Sequence, residues 1–337
     1  MNVALTGATG LLGANLAEAL LAAGHDVTAT RRATSRVDHL ADLDIRWVQA
    51  SLGDPSALER AFDGAEVVYH CAAAVTVRKK AAPWVIAANV DGTRHVIDAV
   101  QAVGARRLVH CSSVVAVGLS DDGRPSDETA RWNFAEHGIM DGYTLTKRQA
   151  EEVVASAVAD QGLDAVIVNP TYMIGPRDVR PSSGKLLIEI VRRAVPGVSA
   201  GANNFVDVRD VARGMVAAAD RGQTGERYIL GGLDLSYAEI FRRTAAIAGV
   251  KPIERVLPRW LANPAGWWGD LQERFSDREP LLNSASIAWG YTTQYRFTSA
   301  KAQAELGYTM SPLDPAIHDA LTWFRAHDML GPTPNLP

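Results

Sequence analysis

The sequence predicts an α/β fold, in which a Rossmann-type doubly wound parallel sheet carries a smaller, mixed α/β C-terminal lobe. Strand-like and helix-like segments alternate through the first half of the 337 residues. A glycine-rich turn joins the first strand to the first helix, and after Pro170 the chain changes to stretches broken by proline and glycine. Strands that alternate with helices form a parallel sheet with helices on both faces, and a chain of this length can bury a large core.

Strands and helices are predicted in alternation before residue 171. The strands are short apolar runs, and the helices are segments in which apolar residues recur at helical spacing. The predicted strands are 2–6, 26–30, 45–49, 66–71, 107–112 and 165–169, and the predicted helices are 12–23, 55–62, 89–103 and 146–161.

The turn after the first strand has the sequence TGATGLLG, from Thr6 to Gly13. A glycine turn lets the backbone approach a pyrophosphate, whose charge is held by the N–H groups and the positive dipole end of the following helix. An ordinary tight turn is the alternative, but the strand–turn–helix setting favours a dinucleotide site. Its predicted contacts are Gly7, Thr9, Gly10, Leu11, Leu12 and Gly13.

The second half of the chain contains one further strand–helix pattern. The run 205–208, followed by helical spacing over 211–219, predicts one more unit returning to the large sheet. We therefore expect a dinucleotide-binding domain formed by residues 1–170 and about 203–222. Residues 171–202 and 223–337 are expected to form the substrate-binding lobe.

Composition and charge narrow the class of protein. The net charge of −4 offers no basic face for nucleic acid. The two cysteines, Cys71 and Cys111, end apolar runs, which suits buried thiols in a reducing compartment and no disulfide framework. No signal-like N-terminus and no apolar run of about 18 residues occur, so we expect a cytoplasmic protein without a membrane partner. We assign no metal ligands.

The end of the second predicted strand indicates which nucleotide binds. A carboxylate at this position holds the ribose 2′-hydroxyl of NAD, whereas an arginine accommodates a 2′-phosphate. The chain has Arg31 and Arg32 there and no acid at the strand tip. The pattern favours NADP(H) over NAD(H), the alternative being that both arginines are solvated surface charges.

The segment YTLTK places Tyr143 and Lys147 four residues apart. On a helix the two side chains project from one face and can meet one ligand. A phenol, with a pKa of about 10, needs a nearby cation to act as an acid or base at neutral pH, and Lys147 would supply it. Taken alone, such a pair is as consistent with an exposed helix face.

These motifs together resemble the extended short-chain dehydrogenase/reductases, in particular their dihydroflavonol-4-reductase-like group. The resemblance covers nearly the whole chain. It rests on the TGATGLLG turn, the Tyr143/Lys147 pair, the segments 110–118 and 204–212, the Asn169-Pro170 step with Gly175-Pro176, and the C-terminal segments 297–301, 305–308 and 323–325. The family commonly has an aspartate at the position of Ser51, which weakens the assignment of an adenine contact there.

The resemblance implies roles for particular residues. Ser113, chosen over Ser112 by its distance from Gly118, would hydrogen-bond the substrate oxygen. Tyr143 would transfer the proton, and Lys147 would hold the nicotinamide ribose and lower the pKa of Tyr143. Further implied cofactor contacts are Ser51, Leu52, Cys71, Ala72, Ala73, Pro170, Thr171 and Met173. Implied substrate contacts are Val75, Val77, Tyr172 and Phe205 together with Ser113, in a lobe that also contains Trp260, Trp267 and Trp268.

Two other residues are given structural roles. Asn89 is expected to open a helix and to tie the sheet together. Asp210 is expected to cap the helix that follows it rather than to act in catalysis.

The expected function is NADPH-dependent reduction of a ketone or aldehyde by Ser–Tyr–Lys acid/base chemistry. Elimination of water is disfavoured because Ser113 is followed by two valines instead of a second acid and base. A nucleotide-sugar epimerase that uses bound NAD(P) is the alternative, and a non-catalytic NADP(H) sensor is a further one. The expected partner is a small-molecule carbonyl compound, and the chain is expected to be a monomer or homodimer.

The sequence also bears on the substrate. An apolar ketone is favoured over a nucleotide sugar, because buried diphosphate needs cations to pair it. Between Trp260 and Trp289 the only basic residues are Arg274 and Arg278, which lie beside the acids Glu273, Asp277 and Glu279. The best remaining candidates for a phosphate site are Lys185, Arg192 and Arg193.

Overall fold

The computed structural model describes residues 1–276 and 278–331. Seven of its strands form one sheet in the order β3-β2-β1-β4-β5-β6-β9, with every neighbouring pair parallel. These strands are β1 (Asn2–Thr6), β2 (Asp26–Arg31), β3 (Ile45–Gln49), β4 (Val67–His70), β5 (Arg107–Cys111), β6 (Ala165–Pro170) and β9 (Arg227–Leu230). The predicted doubly wound parallel sheet is confirmed, because β1 and β4 mark the point where the strand order reverses.

Helices cover both faces of this sheet, as the alternating pattern predicts. The helices are α1 (Leu11–Ala22), α2 (Pro55–Phe62), α3 (Pro83–Ile86), α4 (Gly92–Val103), α5 (Gly142–Gln161), α6 (Lys185–Val191), α7 (Val208–Arg221), α8 (Tyr237–Ile247), α9 (Arg259–Phe275), α10 (Ser284–Tyr291), α11 (Ala300–Leu306) and α12 (Leu313–Ala326). Over the described residues, none of them combines the length and the apolar character that crossing a bilayer requires.

A second, three-stranded sheet lies in the C-terminal lobe. It contains β7 (Tyr172–Ile174), β8 (Ala202–Asp207) and β10 (Leu233–Ser236), with β8 parallel to β7 and antiparallel to β10. The predicted return of segment 205–208 to the large sheet is therefore wrong. The strand that does join β6 in the large sheet is β9, in a region that the predicted boundaries assign to the lobe.

The helix after β8 forms as predicted, but a different residue caps it. α7 packs on the large sheet, where Val211, Met215 and Ala218 are buried in the same core as Leu16 of α1. Asp207, not Asp210, caps α7 by accepting a hydrogen bond from the Arg209 N–H. Asp210 lies inside the first turn and accepts hydrogen bonds from Ser311, so it fixes the segment before α12.

Separate hydrophobic cores support the two parts of the molecule. One core lies between the large sheet and α1, α7 and α11, and another lies between the opposite face and α2, α4 and α5. The lobe has its own core around Phe205, Ile240 and Phe324. Because all seven strands of the large sheet are parallel, their carboxyl ends lie at one edge, where the candidate site lies.

Candidate active site

The crevice at the carboxyl ends of β1 and β4 is built by close backbone contacts. Gly7 follows β1 with φ +79°, a conformation that other residues seldom adopt. A Cβ on Gly7 would lie 2.6 Å from the Ala72 nitrogen, and one on Gly13 would lie 2.1 Å from the Gly7 carbonyl oxygen. Only glycine at these two positions lets the turn, the segment after β4 and α1 pack together.

Gly10 differs from these two glycines. A Cβ there would meet only the Gly7 oxygen at 3.5 Å, an ordinary contact, and Gly10 is exposed at the start of α1. α1 begins at Leu11 without a side-chain cap, so the N–H groups of its first turn face this open space. The residues present therefore fit a dinucleotide, whose pyrophosphate would lie against Gly10 and the positive end of α1.

Arg31 and Arg32, the residues predicted to contact a 2′-phosphate, lie at the carboxyl end of β2. Arg31 ends β2 and is partly buried, whereas Arg32 is exposed in the turn that follows. In the described part of the chain neither guanidinium forms an ion pair or a hydrogen bond. By contrast, the nearby Arg36 pairs with Asp38 at 3.6 Å.

The segment after β4 supplies three of the predicted cofactor contacts. Cys71 packs on the core beneath α1 and α7, and Cys71 and Cys111 are both free thiols. The N–H of Ala72 donates to the Thr6 hydroxyl at 3.3 Å, and Ala73 is exposed at the crevice. This contact ties the end of β4 to the end of β1.

The other predicted cofactor contacts lie on both sides of the crevice. Pro170 ends β6, Thr171 follows it, and Met173 lies in β7 with its side chain packed on the main core. Ser51 and Leu52 follow β3, where Ser51 is exposed and the Leu52 carbonyl forms a hydrogen bond with His95 at 2.7 Å. All eight residues named by the resemblance therefore lie at or beside the carboxyl edge of the sheet.

Tyr143 and Lys147 lie in the first two turns of α5, on the side that faces β5. The Lys147 ammonium is buried and donates to the Cys111 carbonyl at 2.7 Å. Ser113 follows β5, and its hydroxyl accepts a long hydrogen bond from the Val115 N–H at 3.4 Å. Asp141 caps α5 by accepting from the Thr144 N–H at 2.7 Å. The cap and the buried ammonium together fix the orientation of the helix turn that carries Tyr143.

Burial governs the ionisation of this cluster. Burial raises the pKa of the Tyr143 phenol, while the neighbouring Ser113 hydroxyl acts in the opposite direction. Burial also lowers the pKa of the Lys147 ammonium, against the opposing effect of Cys111 and Glu151. The pKa of Asp141 is raised to about 6, chiefly by burial. The phenol is therefore protonated at neutral pH, the form that can donate a proton.

A buried network that sequence reasoning missed holds the segment of Ser113 in place. The Asn169 amide donates to the Ser113 carbonyl at 3.0 Å and to the Glu151 carboxylate at 2.8 Å. Glu151 is paired in turn with Arg227 at 3.1 Å. The sequence identifies Asn169 only as part of the Asn169-Pro170 motif. An amide in a buried strand does not indicate which residue on a distant helix it will bind.

Asn89 also has a more specific position than predicted. It lies in a π-helical turn (Ala87–Asp91) between α3 and α4, rather than at the start of a helix. Its side chain binds both backbone groups of Ala74, at 2.6 and 2.9 Å, and donates to Thr146 at 3.0 Å. Asn89 thereby joins the segment after β4 to α5, a link between a loop and a helix and not, as expected, within the sheet.

The segment after Ala74 is held by the end of α9 and the loop that follows. Glu279 accepts hydrogen bonds from the Thr76 hydroxyl and the Val77 N–H, at 2.7 and 2.5 Å. The Arg78 guanidinium donates to the carbonyls of Glu273 and Ser276 at 3.3 and 3.0 Å. This contact brings the lobe over one side of the crevice, and no spacing in the sequence indicates it.

The predicted substrate contacts differ in accessibility. Val75 is 58% exposed, and Val77 is partly buried beside Glu279. Tyr172 donates its hydroxyl proton to the Ser183 carbonyl at 2.9 Å, and its ring packs on Phe205. Phe205 is fully buried, so it supports Tyr172 in this arrangement, and its contact with a substrate stays a prediction.

A match to a family model identifies the family to which this chain belongs. Residues 3–231 match the model described as the NAD dependent epimerase/dehydratase family, a span that includes the glycine turn, Ser113, Tyr143 and Lys147. The chain belongs to this family. As a family member it is an enzyme of the NAD(P)-dependent oxidoreductase class acting on alcohol or carbonyl groups.

Several members of the NAD dependent epimerase/dehydratase family align over almost the whole chain. A protein of Synechocystis named putative dihydroflavonol 4-reductase is 34% identical, covering 96% of this chain and 94% of its own. Sterol demethylase protein B of Methylococcus capsulatus is also 34% identical, covering 98% and 100%. The crystal structure of gox2253 has a TM-score of 0.84 at 34% identity, with 97% and 99% coverage. The predicted extended short-chain dehydrogenase/reductase relationship is thus confirmed.

Family members named for nucleotide-sugar chemistry share the architecture as well. A Pseudomonas aeruginosa protein described as a nucleoside-diphosphate-sugar epimerase, PA4631, has a TM-score of 0.81 at 27% identity, covering 98% of this chain and 99% of its own. Reductases and epimerases therefore use one backbone, and the overall fold does not distinguish between the two reactions.

Proposed function

We propose that this enzyme uses NADPH to reduce the carbonyl group of a mid-sized, largely apolar ketone or aldehyde. The observation that carries the proposal is the position of Tyr143. Its protonated phenol lies next to Ser113 and one helical turn from the buried Lys147 ammonium, at the edge of the sheet where the glycine turn fits a dinucleotide.

The residues of this chain divide the work of the reduction. The bound cofactor supplies the hydride. Ser113 and Tyr143 donate hydrogen bonds to the carbonyl oxygen, which gains negative charge as the hydride arrives. Tyr143 then gives its proton to this oxygen, so the product is an alcohol and the phenolate remains. The Tyr143 phenol is protonated at neutral pH, as the reductive direction requires, but burial raises its pKa and so makes it a weaker acid unless a nearby cation stabilises the phenolate.

Lys147 has hydrogen-bonding capacity beyond the contact seen in the structure. An ammonium group has three donors, and one of them reaches the Cys111 carbonyl. The remaining donors can hold the nicotinamide ribose, and the positive charge stabilises the Tyr143 phenolate after proton transfer. The same ammonium thus serves both binding and proton transfer.

The lobe supports an apolar substrate over a nucleotide sugar. Lys185 is 3.7 Å from Glu189 on its own helix, and the Arg192 guanidinium donates to the carbonyls of Leu330 and Met329 at 3.2 and 2.7 Å. Two of the three cations expected to pair a diphosphate thus have other partners. Several relatives are named for apolar substrates, including the sterol protein mentioned above and a farnesyl-dihydroquinoline-oxide ketoreductase of Stigmatella aurantiaca that is 29% identical.

The reaction can be tested with two measurements. We expect NADPH oxidation in the presence of aromatic or alicyclic ketones and aldehydes, followed by the loss of absorbance of the reduced nicotinamide. Calorimetry of the NADP complex should show binding of such a ketone and no binding of UDP-sugars. If UDP-sugars bind with micromolar affinity and this binding is lost in Lys185→Ala or Arg192→Ala, the proposed reductase activity is refuted in favour of an epimerase. Tight NADPH binding without turnover on any carbonyl would indicate a sensor.

Cofactor preference gives a separate prediction. We propose that Arg31 and Arg32 bind the 2′-phosphate, since both guanidinium groups lack an acidic partner within the described residues. NADPH should bind more tightly than NADH, and Arg32→Ala should remove most of the difference, because charge-assisted hydrogen bonds to phosphate are strong. Fluorescence titration with NADPH and with NADH measures this difference in affinity. Arg36→Ala, in the same loop, is the matched control and should keep the preference; equal affinities in the unmodified protein would refute the assignment.

A further inference from the structure

One side of α9 presents large apolar side chains to solvent. Trp260, Trp267, Trp268 and Phe275 are 69%, 64%, 62% and 83% exposed. We call these four residues, together with Leu261 and Leu271, the α9 face. The tryptophans of α9 therefore do not fill the core of the lobe. Isolated exposed apolar residues are common, but a contiguous set of this size marks an interaction surface.

The opposite side of α9 attaches the helix to the rest of the molecule. Gly266 and Gly269 are its only buried residues, and a Cβ on Gly269 would overlap the Leu282 carbonyl. Both acids of the helix also point this way. Asp270 pairs with Lys79 at 3.2 Å, and Glu273 accepts from the Asn283 amide at 2.7 Å. The α9 face is thus fixed outward by contacts on the other side.

The two cations of α9, Arg259 and Arg274, are both exposed, although the chain as a whole has a net charge of −4. Arg274 follows Trp267 by two helical turns, so it lies along the edge of the α9 face. Arg259 begins the helix about 100° around its axis from Trp260, on the side away from the α9 face, so it does not border this face. An apolar face with Arg274 at its edge and the acids of the helix turned inward is complementary to an anionic lipid surface.

The shape of the α9 face favours a lipid surface over a second copy of the chain as its occupant. A helix of 17 residues is about 25 Å long, so the face is a single narrow stripe. A stable protein interface also needs complementary surface around such a stripe. A bilayer needs no complementary partner surface, and tryptophan with arginine is the combination that favours the membrane–water boundary.

We propose that the α9 face binds the surface of a bilayer that contains anionic lipids, with α9 lying in the plane of the interface. This departs from the expectation of no membrane partner, which rested on the absence of a spanning segment. A helix of this kind lies on a membrane without crossing it. The segment 76–79 beside the crevice contacts the opposite side of α9, so binding would leave one helix diameter, ~10 Å, between this segment and the lipid, in which an apolar substrate concentrates.

Vesicle binding tests the proposal without reference to turnover. The full chain is mixed with vesicles of phosphatidylcholine alone or of phosphatidylcholine with phosphatidylglycerol, and sedimented. We expect co-sedimentation with the anionic vesicles and a blue shift of tryptophan emission. Trp267→Ala/Trp268→Ala should weaken binding at least about tenfold, since it removes apolar area from the interface. Arg274→Gln should reduce the preference for anionic vesicles by about fivefold, the loss expected for one cation at the lipid surface, whereas Arg259→Gln should change it less.

The matched control is Trp84→Ala, because Trp84 is 57% exposed but lies on α3, outside the α9 face. This variant should bind vesicles as the unmodified protein does. Failure to bind either vesicle, or equal binding by the Trp267/Trp268 variant, overturns the proposal. Loss of a dimer in that variant, without vesicle binding by the unmodified protein, assigns the face to a second copy instead. Unchanged melting temperatures would show that each variant is folded.

Discussion

Replacing Tyr143 with phenylalanine is expected to lower the turnover number by about 10²–10⁴-fold, the usual contribution of a positioned acid. The substitution keeps the ring and removes only the hydroxyl that lies beside Ser113. NADPH affinity should be nearly unchanged, because the proposed cofactor contacts are the glycine turn, Arg31, Arg32 and Lys147. Steady-state kinetics on an active carbonyl substrate, with nucleotide titration by fluorescence, measures both effects.

Lys147→Met is the variant to compare with Tyr143→Phe, because it should affect NADPH binding as well as turnover. The ammonium is assigned to the ribose as well as to the phenol, so this variant should lose both turnover and NADPH affinity. Lys147 is also buried, with a hydrogen bond to the Cys111 carbonyl, so the melting temperature of the variant must be measured alongside. Normal turnover in Tyr143→Phe would show that another group donates the proton.

Adding a single methyl group at Gly10 should separate nucleotide binding from folding. A Cβ on Gly10 makes only an ordinary contact with the protein, yet it occupies the space where the pyrophosphate would approach the start of α1. Gly10→Ala should therefore weaken NADPH binding by about 10²-fold through lost charge-assisted hydrogen bonds, with little change in melting temperature. Calorimetric titration and thermal unfolding measure the two quantities.

Gly13→Ala is the matched control with the opposite expectation. Its Cβ would lie 2.1 Å from the Gly7 carbonyl oxygen, so the turn and α1 must separate. We expect this variant to lose about 1–3 kcal/mol or more of unfolding free energy through overpacking. If Gly10→Ala binds NADPH normally, the dinucleotide does not pass over the start of α1 and the site must be placed elsewhere.

The success of the sequence in predicting the large sheet has a physical basis. Each of its first six strands is a local apolar run, and each turn is marked by nearby glycine, proline or polar residues. A short stretch of sequence therefore contains enough information to predict each strand. The Tyr143/Lys147 pair is local for the same reason, because one helix carries both residues. The prediction failed at segment 205–208, where an apolar run forms a strand but only distant partners, β7 and β10, decide which sheet receives it.

The parts that were missed are contacts between residues far apart in the chain. Asn169 meets Glu151 and Ser113, and Arg78 meets the end of α9, across separations that no periodic pattern records. The π-helical turn around Asn89 was missed because the helical pattern of apolar residues continues through it. One turn with i→i+5 hydrogen bonds does not visibly change the spacing of those apolar residues. The outward direction of the α9 face is likewise fixed by its neighbours.

The path of the chain between its cores limits how this enzyme can acquire new substrates. After β6 the backbone enters the lobe through β7 and β8, returns for α7 and β9, leaves again through β10, and comes back once more for α11. No single cut separates a complete lobe from a complete sheet. A gene fragment ending at residue 170 would lack β9 and leave the edge of β6 bare, inviting aggregation. A single crossover therefore cannot exchange the lobe as one cassette, and exchanging it whole would take several crossovers.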